Sequence, residues 1–363
     1  MPLRFTKRLL AAESYEAVGV FDVNGDGYLD IVTGGFWLEG PDFLKRHEIG
    51  LTKRFGDYYD EFSVIPIDVN GDGRLDFITG GWWGKTLRWR ENPGADQIWP
   101  EHVIVECGHI ETTRSWDVDG DGQLEIVPNT PFAPLVVYKL ISESRDQATD
   151  KFSHHQVFPG QQGHGLGFGD INGDGRGDFV LANGWLEQPP EGLSGQWAFH
   201  AEFDLHFPDG PPGVPILVAD VNGDGLNDLI VGNAHGYGLS WLEQKMDAAG
   251  KRTWIRHSID PFNAQFHDLQ WADLDGDGRP ELVTGKRFRA HPLKDPGDLD
   301  DLGIYYFKWN GESFSKQVIT YGPLGIGAGC GIQFALADLR NTGRLDVIAP
   351  GKDGLHVFYN EGL

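Results

Sequence analysis

The length, composition and charge of the chain exclude several classes of protein. It has 363 residues with a formal net charge of −24, which argues against nucleic acids and anionic membrane surfaces as partners. No apolar run approaches the roughly 18 residues that a membrane span needs. Cys107 and Cys330 are too few for a disulfide framework. Since the N-terminal segment lacks a secretory apolar run, we expect a cytoplasmic protein or a mature chain whose signal was removed.

From the N-terminus, the first predicted element is a strand in LRFTKRLLA, and the remaining chain repeats one pattern seven times. The pattern is D-x-[ND]-G-D-G-x-x-[DE], preceded by an alternating apolar run such as SVIPI and followed by strand-rich runs such as LDFITGG. Successive copies begin 46 to 65 residues apart, which is close to the length of one four-stranded propeller blade. The intact copies are 22–30, 68–76, 117–125, 170–178, 220–228 and 273–281, and a degenerate copy is 338–346.

The two ends of the chain predict a closed ring. After the last copy the chain supplies three strands and ends at Leu363, one strand short of a blade. We expect the N-terminal strand to be that missing outer strand, because pairing with the C-terminal blade would remove an open edge. The prediction is an all-β fold, a single seven-bladed β-propeller over residues 1–363.

The six intact loops are typical of calcium-binding turns. Positions 1, 3, 5 and 9 offer carboxylate or amide oxygens, which hard cations prefer, and glycines at positions 4 and 6 permit a sharp turn. In the seventh loop we expect no metal, with the Arg340 guanidinium replacing the cation. Structural Ca²⁺, or less suitably Mg²⁺, is predicted at Asp22, Asn24, Asp26, Asp30, Asp68, Asn70, Asp72, Asp76, Asp117, Asp119, Asp121, Glu125, Asp170, Asn172, Asp174, Asp178, Asp220, Asn222, Asp224, Asp228, Asp273, Asp275, Asp277 and Glu281.

The loops on the face opposite these turns are expected to provide the function, since variable loops on a rigid scaffold usually do. Histidines that recur at one position of the outer strand are interpreted as structural: His47, His102, His155, His200 and His257. Tryptophans that recur in the third strand are interpreted as packing between blades: Trp37, Trp89, Trp185 and Trp241. The unrepeated residues at the start of the innermost strands are Glu16, Glu111, His164 and His267.

We expect unrepeated residues to converge around the channel mouth. His164, His235 and His267 predict a site for Zn²⁺ or a similar divalent metal with an open position. Imidazoles can act as general bases, cations can neutralise a developing negative charge, and aromatic faces suit sugar rings. The catalytic candidates are therefore His109, Arg114, Tyr237, Lys286 and Arg287, and the substrate-binding candidates are Trp82, Trp83, Lys85, Glu111 and Arg289.

The segments DVNGDGYLDIVTGG, DVNGDGRLDFITGG, DINGDGRGDFVLAN and DVNGDGLNDLIVGN resemble FG-GAP/VCBS propeller repeats, which cover the whole chain. The rim histidines and the segments GGFWLEG and GGWW are similar to the propeller domain of aldos-2-ulose dehydratases. That resemblance implies a metal-dependent lyase that eliminates water from a keto sugar, without the cupin domains of larger members. A metal among the three histidines would polarise the carbonyl. His109 or Tyr237 would then take the proton, and Arg114 or Lys286 would hold the enolate.

Two other functions remain open at this stage. A polysaccharide lyase acting on a uronate polymer would need a basic patch, for which the run KRFRAHPLK at 286–294 is the best candidate. A non-catalytic, integrin-like module that binds a glycan or a protein is equally compatible with the repeats. A metal among the rim histidines would favour an enzyme over the binding module.

Overall fold

The structure is a computed structural model that describes residues 2–141 and 151–363. Within these residues it contains seven four-stranded antiparallel sheets, which confirms the predicted all-β, seven-bladed propeller. Their only helical segment is the short 3-10 turn Gly192–Ser194. None of their helices is long and apolar enough to cross a membrane.

The strands follow the chain in blade order. Strand β1 is Arg4–Ala11, and a two-stranded hairpin of β6 (Arg54–Phe55) and β7 (Tyr58–Tyr59) lies between blades 1 and 2. The blade strands are β2 (Gly19–Phe21), β3 (Asp30–Thr33), β4 (Phe36–Glu39) and β5 (Lys45–Glu48) in blade 1; β8 (Ile65–Ile67), β9 (Asp76–Gly80), β10 (Thr86–Arg90) and β11 (Glu101–Glu106) in blade 2; β12 (Thr112–Trp116), β13 (Glu125–Asn129), β14 (Leu135–Leu140) and β15 (Phe152–Phe158) in blade 3; β16 (Leu166–Gly169), β17 (Asp178–Leu181), β18 (Gly184–Glu187) and β19 (Ala198–His200) in blade 4; β20 (Leu217–Ala219), β21 (Asp228–Gly232), β22 (Tyr237–Met246) and β23 (Arg252–Ala264) in blade 5; β24 (Phe266–Ala272), β25 (Glu281–Lys286), β26 (Leu302–Trp309) and β27 (Phe314–Gly322) in blade 6; and β28 (Ala335–Ala337), β29 (Asp346–Ala349) and β30 (Leu355–Gly362) in blade 7.

The last sheet combines the two ends of the chain. Its order is β1-β30-β29-β28, and β1 pairs antiparallel with β30 from Arg4 opposite Gly362 to Ala11 opposite Leu355. First strands of neighbouring blades lie next to one another, as β2 does with β8 and β28, and as β16 and β20 do through the parallel bridge between Gly167 and Ile216. These first strands therefore line the central channel.

The apolar core is divided among the contacts between blades. Seven buried clusters each combine residues from two adjacent blades, and the cluster with Ile31 of blade 1 and Ile348 of blade 7 completes the ring. The recurring tryptophans belong to these clusters, which confirms that they pack between blades: Trp37, Trp89, Trp185 and Trp241.

Candidate metal centre at the channel mouth

The acidic loops connect the first and second strand of each blade and define what we call the lower face. In blade 1, Asp22 accepts the backbone N–H groups of Gly25, Asp26 and Gly27. The φ angles of Gly25 and Gly27 are 76° and 87°, which only glycine adopts readily. Both oxygens of Asp30 accept backbone N–H groups, and burial raises its pKa to about 6. The same bonds to position 9 recur in blades 2, 4 and 5.

The recurring histidines belong to a structural network in the outer strands. In blade 4 the His200 ring stacks on Trp185 at 4.3 Å, and its Nε2 lies 2.8 Å from Glu187. The same stack and carboxylate bond occur in blades 1, 2 and 5. In blade 3, His155 instead lies 3.0 Å from the Ser153 hydroxyl. These imidazoles support the blades, as the sequence predicted.

On the opposite, upper face, three imidazoles and one carboxylate meet at the channel mouth. Glu111 and His164 lie just before β12 and β16, His267 lies in β24, and His235 lies in the loop between β21 and β22. The three imidazole centroids are 5.2 to 5.8 Å apart, with ring planes inclined by 74° to 82°. One ligand atom of each residue, Glu111 included, lies within 4.8 Å of all the others. Four blades thus contribute one donor each.

The bonds of His164 and His267 leave two ring nitrogens for another partner. His164 Nδ1 lies 2.6 Å from the carbonyl of Pro212, which can only accept, so Nδ1 is the donor in this bond and Nε2 faces Glu111 Oε1 at 3.4 Å. His267 Nε2 lies 2.9 Å from Glu111 Oε1. His164 Nε2 and His267 Nδ1 are both buried without a hydrogen-bond partner.

His235 is oriented by a carboxylate. Its Nδ1 lies 3.0 Å from Asp295 Oδ2, and a ring nitrogen that donates to a carboxylate leaves the other nitrogen available as a ligand. His291 stacks on His235 at 4.5 Å and places its own Nδ1 3.1 Å from the same oxygen. Burial alone would raise the pKa of Asp295, but the bonds from the two imidazoles hold it below its usual range.

The protonation states at this cluster suit a metal. Burial would raise the pKa of Glu111, but His164 and His267 hold it well below its usual range. Burial, with the nearby Arg287 charge, holds the pKa of His267 well below its usual value, and burial also lowers that of His235. An ionised carboxylate and neutral imidazoles are the forms that bind metal. Together with the unpartnered ring nitrogens, this donor set fits Zn²⁺ or a similar transition metal.

Arg287, a predicted catalytic residue, lies behind Glu111 in a row of alternating charges. Its Nε donates to Glu16 at 2.9 Å and its Nη1 to Glu111 at 3.3 Å. The Lys352 ammonium lies 3.7 Å from the other oxygen of Glu16. All four side chains are nearly buried, and burial is the main reason that the pKa of Lys352 falls to about 8. Arg287 therefore holds the Glu111 carboxylate in position.

Arg114, another predicted catalytic residue, lies deeper in the channel. It is three residues further along the innermost strand than Glu111, which corresponds to about 10 Å. Its Nη2 lies 2.8 Å from Asp268 and 2.5 Å from the carbonyl of Val214. Burial raises the pKa of Asp268 to about 6 even though Arg114 opposes this shift. The pair joins blades 3 and 6 across the channel.

The two other predicted cations of blade 6 also have protein partners. The Lys286 ammonium donates to three backbone carbonyls of the loop after β25, those of Gly297, Asp298 and Asp300. The Arg289 guanidinium forms an ion pair with Asp57 in the hairpin of β6 and β7. Lys286 thus stabilises the loop after β25, and Arg289 connects that loop to the hairpin.

The remaining candidates are not among the four clustered donors and have other contacts. His109 Nδ1 lies 2.8 Å from the Trp82 carbonyl, and the two rings are 4.6 Å apart. Trp83 packs against the hairpin, 4.8 Å from the Tyr58 ring. Lys85 is exposed with a φ of 56°. Tyr237 donates to Asp300 at 2.7 Å, and this bond is the main reason that its pKa rises to about 12.

Sequence reasoning missed two parts of this site. It weighed only the basic residues of the segment after β25 and so overlooked Asp295, whose partner His235 is 60 residues away in the sequence. It also missed the hairpin, which lies outside the repeats. Tyr58 of the hairpin donates to the carbonyl of Ala290 at 2.5 Å, and Lys352 lies 3.6 Å from the centre of its ring. The hairpin thereby connects blade 1 to the upper loops of blades 6 and 7.

Comparisons with known proteins support the repeats and the fold. A profile for an FG-GAP-like repeat matches residues 194–284, from the end of blade 4 into blade 6. The chain therefore contains FG-GAP-like repeats within a seven-bladed propeller. A search of curated proteins gave no match.

Several solved structures are similar at low identity. A lectin of Agrocybe aegerita that recognises non-reducing terminal N-acetylglucosamine is 16% identical with a TM-score of 0.50, over 85% of this chain and 81% of that one. BBS1N, solved in complex with ARL6DN, is 10% identical with a TM-score of 0.55, over 97% of this chain and 94% of that one. Saccharomyces cerevisiae Sqt1 is 13% identical with a TM-score of 0.52, over 100% of this chain and 99% of that one. These likenesses concern the fold alone.

Proposed function

We propose that the protein is a metal-dependent carbon–oxygen lyase that dehydrates a keto sugar or a related sugar. The metal would be Zn²⁺ or a similar divalent ion held by Glu111, His164, His235 and His267. The observation that supports this most strongly is the convergence of these four donors within 4.8 Å at the channel mouth. Since three imidazoles from three blades have no need to meet for the fold, their convergence favours a function.

The surrounding residues suit an elimination. A bound cation would polarise the carbonyl of a keto sugar and acidify the neighbouring C–H bond. His291 is half-exposed, stacks on His235 and is held through Nδ1 by Asp295, so its Nε2 is the nitrogen that can accept this proton. As the C–H and C–O bonds break and a C=C bond forms, the proton passes to the departing oxygen, which leaves as water. Trp82 offers an aromatic face near the mouth for the sugar ring.

The charges at the upper face favour a neutral sugar over a uronate polymer. A polysaccharide lyase would need free cations in the run 286–294. Lys286 instead donates to backbone carbonyls, Arg287 lies between two glutamates, and Arg289 pairs with Asp57. This leaves the exposed Lys294 as a single free cation of the run, which is too few for a polyanion. The 16% identity to a lectin is too low to favour sugar binding without catalysis. The experiment must therefore separate catalysis from binding.

The test is an ultraviolet assay for enone formation by zinc-loaded protein across a panel of keto sugars. We expect turnover by the wild type and its loss, together with bound zinc, in His164→Ala and His267→Ala. His200→Ala is the matched control, because that imidazole contacts Glu187 and Trp185 in the outer strands of blade 4. This variant should retain both turnover and bound zinc. A wild type that binds zinc but leaves every keto sugar unchanged would contradict the lyase. Sugar binding that survives His164→Ala would support a binding module instead.

A further inference from the structure

The six intact acidic loops of the lower face fall into two classes that differ at three positions. In blades 1, 2, 4 and 5, position 3 is Asn, position 9 is Asp, and a glutamate lies on the third strand beside the loop. In blades 3 and 6, position 3 is Asp, position 9 is Glu, and the third-strand residue is lysine. The strand register places these residues at one equivalent site: Glu39, Glu91, Glu187 and Glu243 in the first class, and Lys139 and Lys308 in the second.

Blade 4 represents the first class. The Asn172 amide donates to Asp174 at 3.2 Å and to the third-strand Glu187 at 3.3 Å. His200 takes the other oxygen of Glu187. Both oxygens of Asp178 at position 9 accept backbone N–H groups. Among the described residues of this class, no lysine ammonium contacts the oxygens of positions 3, 5 and 9 at the same time.

Blade 3 represents the second class. Lys139 Nζ lies 2.6 Å from Asp119, 2.6 Å from Asp121 and 3.2 Å from Glu125 Oε1. The longer side chain of Glu125 still accepts the Val118 N–H through Oε2, as Asp does in the first class, and its Oε1 faces the lysine. The lysine ammonium therefore lies at the point where three loop positions converge.

Blade 6 repeats this arrangement independently. Lys308 Nζ contacts Asp275 and lies 3.1 Å from Asp277 and 3.0 Å from Glu281. Position 3, position 9 and the third-strand residue thus change together in both blades. This indicates that the added carboxylate at position 3, the longer one at position 9 and the lysine form one coordinated arrangement rather than three unrelated substitutions.

An ammonium and a calcium ion cannot share these oxygens. Ca²⁺ binds carboxylate oxygens at about 2.3–2.6 Å, so an ion bound to the oxygens that Nζ contacts would lie close to the ammonium. In both blades one oxygen each of positions 1, 3 and 9 lies within 4.8 Å of the others, so the lysine competes with an ion for oxygens that the loop itself brings together. Two cations so close would repel each other strongly. Blade 7 shows that the chain can supply its own cation to such a loop, since Arg340 Nη2 lies 3.3 Å from Asp346 at position 9.

We propose that Lys139 and Lys308 are built-in cations that occupy the acidic loops of blades 3 and 6, so that these loops do not take up Ca²⁺. With Arg340 in blade 7, three blades then neutralise their loops with their own side chains. Any divalent ions of the lower face are left to blades 1, 2, 4 and 5. This inference does not depend on the function proposed for the upper face.

The test is to locate and count bound Ca²⁺ in protein that has been treated with a chelator and reloaded with Ca²⁺ alone. In the wild type we expect no anomalous calcium density at the loops of blades 3 and 6. Lys139→Met and Lys308→Met should each add one ion per chain, at the position that Nζ vacates. Lys245→Met is the matched control, because Lys245 contacts Asp224 and Glu243 of a first-class loop, and it should add none.

Two results would overturn the proposal. One is calcium density at blade 3 or blade 6 of the wild type with the lysine displaced. The other is an unchanged calcium count in both methionine variants while their far-ultraviolet spectra remain those of the folded protein. If a variant fails to fold, the wild-type density alone decides.

Discussion

The two ends of the innermost strands hold polar groups in different ways. At the lower face the first carboxylate of a nine-residue loop is held by backbone amides of the same loop, as Asp22 is by Gly25 and Gly27. At the upper face Glu111, His164 and His267 come from different blades and contact one another. The lower face is therefore built locally and repeatedly, whereas the upper cluster exists only when the ring closes. Changes at one face should leave the other intact.

Removal of calcium should give the largest effect, and only through the lower face. A ligand at 100 times its Kd stabilises the folded state by about 2.7 kcal/mol per site, so several occupied loops give several kcal/mol. We expect chelation to lower the free energy of unfolding by that amount in both the wild type and His164→Ala, measured by urea denaturation. A free energy of unfolding that does not change when calcium is removed would contradict calcium binding at the lower face. A calcium dependence that disappears in His164→Ala would show that the two faces are coupled.

Substitution of Arg114 tests whether the channel below the cluster is structural. Arg114→Met leaves the Asp268 carboxylate buried without its ion pair, and we expect a loss of about 3 kcal/mol in the free energy of unfolding with unchanged zinc affinity. The exposed Arg54, which contacts the Gly56 carbonyl and the Tyr59 ring, is the control, and Arg54→Met should change stability by less than about 1 kcal/mol. Weaker zinc binding in Arg114→Met would show that the cluster depends on the channel pair.

These contrasts explain how far sequence alone could go. The repeat spacing predicts the fold, because each blade is a local unit. Glu111, His164 and His267 could be selected because they occupy one position of the repeat at which other blades have apolar residues. The partners of buried cations could not be predicted. Lys286 bonds backbone carbonyls and Arg114 an aspartate 154 residues away, and neither choice leaves a pattern in the sequence.

Substitution of Asp295 sharpens the description of the upper face. Loss of an outer carboxylate that orients a metal-binding histidine typically weakens metal affinity by about 10- to 100-fold. We expect this loss in Asp295→Asn, measured by competition with a zinc-binding dye. Asp300→Asn removes the partner of Tyr237 instead and should leave zinc affinity unchanged. Equal losses in both variants would point to a general disturbance of the loop rather than to the bond with His235.

Substitution of Arg289 should give the smallest effect. Its ion pair with Asp57 is partly exposed, and such pairs contribute about 0.2–1 kcal/mol. Arg289→Gln should therefore lower the free energy of unfolding by less than about 1 kcal/mol, measured by thermal denaturation, and leave zinc and calcium binding unchanged. A raised KM for a keto sugar with normal stability would instead support the substrate-binding role predicted from the sequence.

The most direct test of the account is anomalous X-ray scattering at the zinc edge from crystals loaded with both Zn²⁺ and Ca²⁺. We expect one zinc peak per chain at the upper face, bonded to nitrogens of His164, His235 and His267 and to an oxygen of Glu111. We expect no zinc peak in the loops of blades 3 and 6. A channel mouth without zinc at millimolar loading, or a peak bound by other residues, would contradict the metal centre and the lyase built on it.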